Sequence, residues 1–265
     1  MPARYPERIV CLTEETTETL YLLGEERRIV GISGYTVRPP RARREKPRVS
    51  AFLSAKMDAI VSLKPDLVLG FSDLQADIAR DLAKAGLNVV LFNQRSVDEI
   101  LSMILMLSSM VGAVEKGRQL IASLEKNLAE VRTHPPKRRP KVYFEEWDEP
   151  MISAIRWVSE LIEIAGGVDV FAEVSRSQAA TGRIVQSAQV IERSPEVIIG
   201  SWCGKKFRPE RVAAREGWAA LPAVKAQRLY EIKSAEILQP GPAALTDGLA
   251  RLREIISAAA AASGR

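Results

Sequence analysis

Carboxylates and tryptophan share one short segment, Glu145-Glu146-Trp147-Asp148-Glu149, and Arg156-Trp157 follows close behind. Two kinds of chemistry are open to such a set. Neighbouring carboxylates can bind a hard cation or divide acid and base roles, provided that some of them are buried against a ligand. The indoles offer flat apolar faces, and Arg156 offers a planar fork for a carboxylate or phosphate. The alternatives are a solvated acidic loop and ordinary core tryptophans. A second cluster, Trp202-Cys203-Gly204-Lys205, follows an apolar run and adds an indole, a thiol and an ammonium. Aromatics make up only 6% of the 265 residues. Trp147, Trp157 and Trp202 near strand ends or helix starts therefore point to a flat-sided ligand cleft.

Catalytic signatures are lacking around these residues. Cys203 as a nucleophile needs a base, and the sole histidine, His134, precedes Pro135-Pro136 in an expected linker. One histidine and two distant cysteines, Cys11 and Cys203, make neither a usual metal set nor a disulfide framework. No Gly-x-Gly-x-x-Gly follows a strand, and Gly200-Ser-Trp-Cys-Gly204-Lys205-Lys206 is one residue short of a phosphate-binding loop. A non-enzymatic binder with no required cofactor and no metal is the expectation.

These residues need elements to position them. Short β-branched runs at 8–12, 28–33, 66–70 and 88–92 read as buried strands. Helical patterns over 14–24, 57–63 and 73–85 separate them, with Gly24 and Gly86 as stops. The proline- and arginine-rich stretch 35–50 reads as loop. Ser96 opens a helix with Glu99 at capping-box spacing, and a second helix runs over 113–132. Twenty helical residues extend about 30 Å. The alternation then resumes: strands at 141–144, 196–200 and 228–232, helices at 159–165, 186–193 and 242–262, the last ended by Ser263-Gly264.

The pattern predicts an α/β protein of two Rossmann-like lobes with parallel sheets joined by a single long α-helix. The expected boundaries are residues 1–95, a helical connection over 96–135, and 136–265. Ligands of parallel sheets bind outside the carboxyl ends of the strands. The candidate walls are thus Thr13 to Thr16, Tyr35, Phe52, Phe71-Ser72, Glu146, Trp147, Arg156, Trp157, Trp202 and Cys203, in a cleft between the lobes.

Net charge is +5, with basic clusters over 38–48 and 137–141. Neither cluster is interleaved with aromatics, so nucleic acid is not an expected partner. No apolar run of about 20 residues would span a bilayer, and residues 1–8 lack the apolar stretch of a secretory signal. The chain as it stands reads as cytoplasmic and monomeric, or as periplasmic or lipid-anchored if a leader has been removed.

Several stretches resemble class III substrate-binding proteins of ABC importers. They are Ile9-Val-Cys-Leu-Thr-Glu-Glu-Thr-Thr-Glu-Thr-Leu20 with Gly24, Ile29-Val-Gly-Ile-Ser-Gly-Tyr35 with Pro39-Pro40, Asp58-Ala-Ile-Val-Ser-Leu-Lys-Pro-Asp-Leu-Val-Leu69, and Ser194-Pro-Glu-Val-Ile-Ile199. The resemblance is closest to the cobalamin-binding, BtuF-like type. It implies a corrinoid held between two lobes, a permease partner, and acidic docking residues, for which Asp73, Asp77 and Glu210 are the nearest candidates. Ferric-siderophore and haem binders share the motifs. Haem would need a tyrosine or cysteine as axial ligand here. The other alternative is a cytoplasmic enzyme or binder for a smaller polar ligand, acting through Glu145, Glu146, Arg156 and Cys203.

Overall fold

The computed structural model describes residues 5–262. Residues 1–4 and the expected Ser263-Gly264 stop lie outside them. The described residues divide into two compact units, the first comprising those up to 94 and 98–124, the second 95–97 and those from 125 onward.

The first unit carries a five-stranded parallel sheet of order β3-β2-β1-β4-β5. Its strands are β1 (Ile9–Cys11), β2 (Ile29–Ser33), β3 (Arg48–Ser50), β4 (Leu67–Phe71) and β5 (Val89–Phe92). β1 and β4 are buried throughout, as continuous apolar runs covered on both faces should be. The helices are α1 (Glu14–Leu22), α2 (Ala42–Glu45), α3 (Met57–Ser62), α4 (Ala76–Lys84) and α5 (Val97–Met110). Gly24 and Gly86 take φ of +70° and +82° just past α1 and α4, left-handed positions that favour glycine. The stretch 35–50 is not all loop: it holds α2 and edge strand β3. Arg48-Val-Ser50 has one apolar residue and so gave no hydrophobic signal.

α6 (Val114–Thr133) contributes to both units, and α5 lies almost wholly in the first, so the expected connection 96–135 is shared out between them.

The second unit has a sheet of order β10-β9-β6-β7, with β8 also pairing β6. β6 (Lys141–Asp148), β8 (Val168–Asp169), β9 (Val197–Gly200) and β10 (Leu229–Glu231) are parallel, and β7 (Met151–Ser153) runs antiparallel to β6. The acidic run 145–149, expected as a strand-exit loop, mostly extends β6, and β7 was not anticipated. Cations on neighbouring segments, set out below, make this extension tolerable. The helices are α7 (Arg156–Ile164), α8 (Ser187–Arg193), α9 (Pro209–Ala213), α10 (Pro222–Lys225), α11 (Ser234–Ile237) and, after a π-helical turn over Ala244–Gly248, α12 (Leu249–Ala262). α7 begins three residues earlier than expected because Trp157, Val158, Leu161 and Ile162 form one buried face. Among the described residues no helix is long and apolar enough to cross a membrane.

Candidate ligand-binding site

Each sheet has one place where the strand order reverses, and ligands of parallel sheets bind there, outside the strand ends. In the first sheet it lies between β1 and β4; in the second, between β6 and β9.

At the first reversal, β1 runs into Thr13-Glu14-Glu15 and β4 into Ser72-Asp73. Glu14 and Glu15 are buried, and each retains one carboxyl oxygen without a partner. The Val37 N–H donates to Glu14 at 3.2 Å and the Thr13 hydroxyl to Glu15 at 2.5 Å. Burial outweighs these bonds and pushes Glu14 up to about 8 and Glu15 to about 7. Ser72 holds a φ of +75°, strained for a residue with a Cβ, and its Oγ accepts from the Leu74 N–H at 3.1 Å. Buried Gln75 ties two strand exits together: it accepts from the Phe71 N–H at 3.0 Å and donates to the Phe52 carbonyl at 2.9 Å. Phe71 itself is buried, Phe52 is half-buried, and Tyr35, after β2, is 62% exposed.

At the second reversal, β6 delivers Glu145, Glu146, Trp147 and Asp148, and β9 runs into Ser201-Trp202-Cys203. Glu145 is fully buried and accepts four bonds: from Arg215 at 2.6 and 3.0 Å, Tyr143 at 2.9 Å and Trp202 at 3.1 Å. It is a structural anion, not a ligand group. Glu146 is gripped by buried Arg183 at 2.5 and 3.3 Å. Asp148 is paired to Lys205. The Lys205 ammonium sits 4.0 Å from the Trp147 ring centroid and 5.2 Å from that of Trp202, a cation–π cluster. Lys205 is thus engaged by a carboxylate and two rings rather than held in a phosphate loop.

Trp147 is half-buried and Cys203 exposed. Trp202 is mostly buried, packed edge-to-face on Phe207 at 5.0 Å. Phe207 in turn requires Gly200, where a Cβ would stand 1.9 Å from the ring. Burial and the Glu146 charge raise the Cys203 thiol, which keeps it protonated and a poor nucleophile.

Two expected wall residues of the second unit are engaged within the protein. Trp157 is a core residue, 3% exposed, with its indole N–H on the Ile237 carbonyl at 2.9 Å. Arg156 pairs with Glu160 on its own helix at 2.8 Å. The structure thus gathers Glu146, Trp147 and Cys203 at the second reversal with Trp202 buried beside them, holds Phe52 next to buried Phe71 through Gln75, leaves Tyr35 exposed after β2, and packs Trp157 in the core. Sequence reasoning missed Gln75, Arg183 and Arg215, single polar residues in turns or between short elements, where no periodicity marks them. Of the docking candidates, Asp73, Asp77 and Glu210 are all exposed; Asp77 pairs with Arg80 at 2.6 Å and Glu210 with Arg208 at 3.8 Å. His134 is exposed, its ring nitrogen 3.0 Å from the Glu130 carbonyl. Among the described residues no cluster of metal-binding side chains occurs.

Known proteins resemble this chain over most of its length. The vitamin B12-binding protein of Vibrio cholerae is 29% identical over 252 residues, covering 90% of this chain and 85% of its own. The ABC transporter substrate-binding lipoprotein YvrC of Bacillus subtilis is 25% identical, covering 95% and 80%. The haem-binding protein RhuT of Roseiflexus sp. RS-1, in its apo form, superposes with a TM-score of 0.82 at 23% identity, covering 96% and 99%, which shows a shared fold. Residues 9–236 match the periplasmic binding protein family, and the chain belongs to that family.

Proposed function

We propose that the chain is a solute-binding protein for a corrinoid, a cobalamin-like ligand, contacted at the β6/β9 strand-exit surface. As a member of a binding-protein family of ABC importers it is not an enzyme, takes a small-molecule ligand and works with a permease. The observation that carries the corrinoid reading is half-buried Trp147 at the β6/β9 reversal, flanked by Trp202 and capped by Lys205. A broad macrocycle needs flat apolar walls with a few fixed polar groups. Its resemblance to a vitamin B12-binding protein supports the same choice. On the second unit Glu146 and Cys203 would form the rim of this surface; on the first unit, exposed Tyr35 and half-buried Phe52 are the candidate ligand contacts. Phe71 would act from beneath, through Gln75 and Phe52.

Haem is the second reading, favoured by the fold shared with RhuT. Exposed Tyr35 and Cys203 are then the axial-ligand candidates. A ferric siderophore would use the same surfaces. Asp73, Asp77 and Glu210 are the carboxylates we assign to permease docking. Kinship with a lipoprotein and a family described as periplasmic supports an exported protein over a cytoplasmic one. The test is spectral: cobalamin and haem absorb visibly, so titration of the protein with each separates the readings.

A further inference from the structure

A cavity of about 620 Å³ opens in the first unit beside edge strand β3. Four cations line it: Arg43 from α2, Lys46 and Arg48 around the start of β3, and Lys56 ahead of α3. Among the described residues none of the four forms an ion pair. Of the nearest carboxylates along the chain, Glu45 accepts from the Tyr21 hydroxyl at 2.8 Å, and Asp58 forms no ion pair with Lys56. Ser50, at the end of β3, also lines the cavity; it is 8% exposed and its Oγ is buried without a hydrogen-bond partner. Four like charges without ion-pair partners around one concavity repel one another, and a buried hydroxyl without a partner is costly. An oxyanion relieves both, since it takes charge-assisted bonds from guanidinium and ammonium and accepts from a hydroxyl. The volume falls within the range of small-molecule sites. β3 stands two strands away from β1, roughly 10 Å across the sheet, so this cavity is not the β1/β4 reversal.

We propose that the cavity is an oxyanion site, taking a small molecule that bears phosphate or carboxylate groups. Gly34 and Ala51 also line the cavity, so it adjoins Tyr35 and Phe52 of the first unit's candidate ligand surface. Oxyanion binding is measured without any corrinoid, so its failure and the failure of the corrinoid reading are distinguishable.

Calorimetry at low ionic strength, with inorganic phosphate and with citrate as separate probes, tests it. Three proteins are compared: the wild-type chain, the Arg43→Ala/Arg48→Ala/Lys56→Ala variant, and an Arg118→Ala/Arg132→Ala control that removes exposed cations from α6. All the replaced side chains are exposed, so the fold should persist, as an unchanged unfolding midpoint would verify. The expected result is one-to-one binding of at least one probe with a Kd of about 1 mM or tighter, weakened about tenfold or more by the triple substitution and unchanged in the control. The tighter probe names the preferred group. Absence of binding by both probes, or equal weakening in variant and control, would overturn the proposal.

Discussion

Arg215 holds Glu145 by both ends of its guanidinium, at 2.6 and 3.0 Å, at the β6/β9 reversal. The carboxylate is fully buried, so its charge depends on that partner. Arg215→Ala should lower stability by about 3 kcal/mol. Glu145→Gln should cost less, because Arg215 reaches solvent and the amide oxygen can still accept from Trp202. Urea denaturation checks the order; equal losses would mean that the pair is not the anchor of this strand exit.

Gln75 stands between Phe71 and Phe52 and bonds to the backbone of both. Gln75→Ala leaves a buried Phe71 N–H without its acceptor and should cost about 1–3 kcal/mol. It should also weaken ligand binding through displacement of Phe52, although Gln75 itself is buried. Denaturation and ligand titration on the same variant check both effects.

Glu14 and Glu15 give stability a pH dependence of definite sign. Their carboxyls keep protons up to about 8 and about 7 in the fold, against an ordinary 4.5. The folded state therefore binds more protons than the unfolded one between 4.5 and about 8, and stability falls as pH rises through that window. Glu14→Gln/Glu15→Gln should remove much of the slope and be the more stable protein at pH 8, by on the order of 2 kcal/mol. Denaturation midpoints at the two ends of the window decide it.

Trp147 is placed to report on the ligand directly. Trp147→Ala should weaken binding by about tenfold or more, and should also lower stability by about 1–3 kcal/mol, because the indole packs against the second unit's core and donates to the Glu149 carbonyl. Lys205→Ala should have a smaller effect, since it uncovers the Trp147 and Trp202 rings while it frees Asp148. Titration followed by indole fluorescence measures both. Wild-type affinity in Trp147→Ala would remove this surface from the site.

Much of this was legible in the chain, for physical reasons. Apolar β-branched runs such as Ile9-Val-Cys11 and Val197-Ile-Ile199 announce buried parallel strands, and Gly24 and Gly86 mark the ends of helices. β3 was hidden because an edge strand needs little apolar sequence. The extension of β6 through Glu145 and Glu146 was hidden because the neutralising arginines, Arg215 and Arg183, lie 70 and 37 residues away. Trp157 misled for a related reason: its indole N–H partner, Ile237, is 80 residues distant, so nothing local marked it as core. Strand order, which picks out the two reversal points, is a property of the fold that no local pattern encodes.

The ligand we propose for this binding protein is a corrinoid. Calorimetric titration with cyanocobalamin tests it most directly. One-to-one saturable binding with a Kd of about 1 μM or tighter, weakened by Trp147→Ala, is expected. Absence of cyanocobalamin binding, with saturable binding of haem or a ferric siderophore to the same protein, would contradict it.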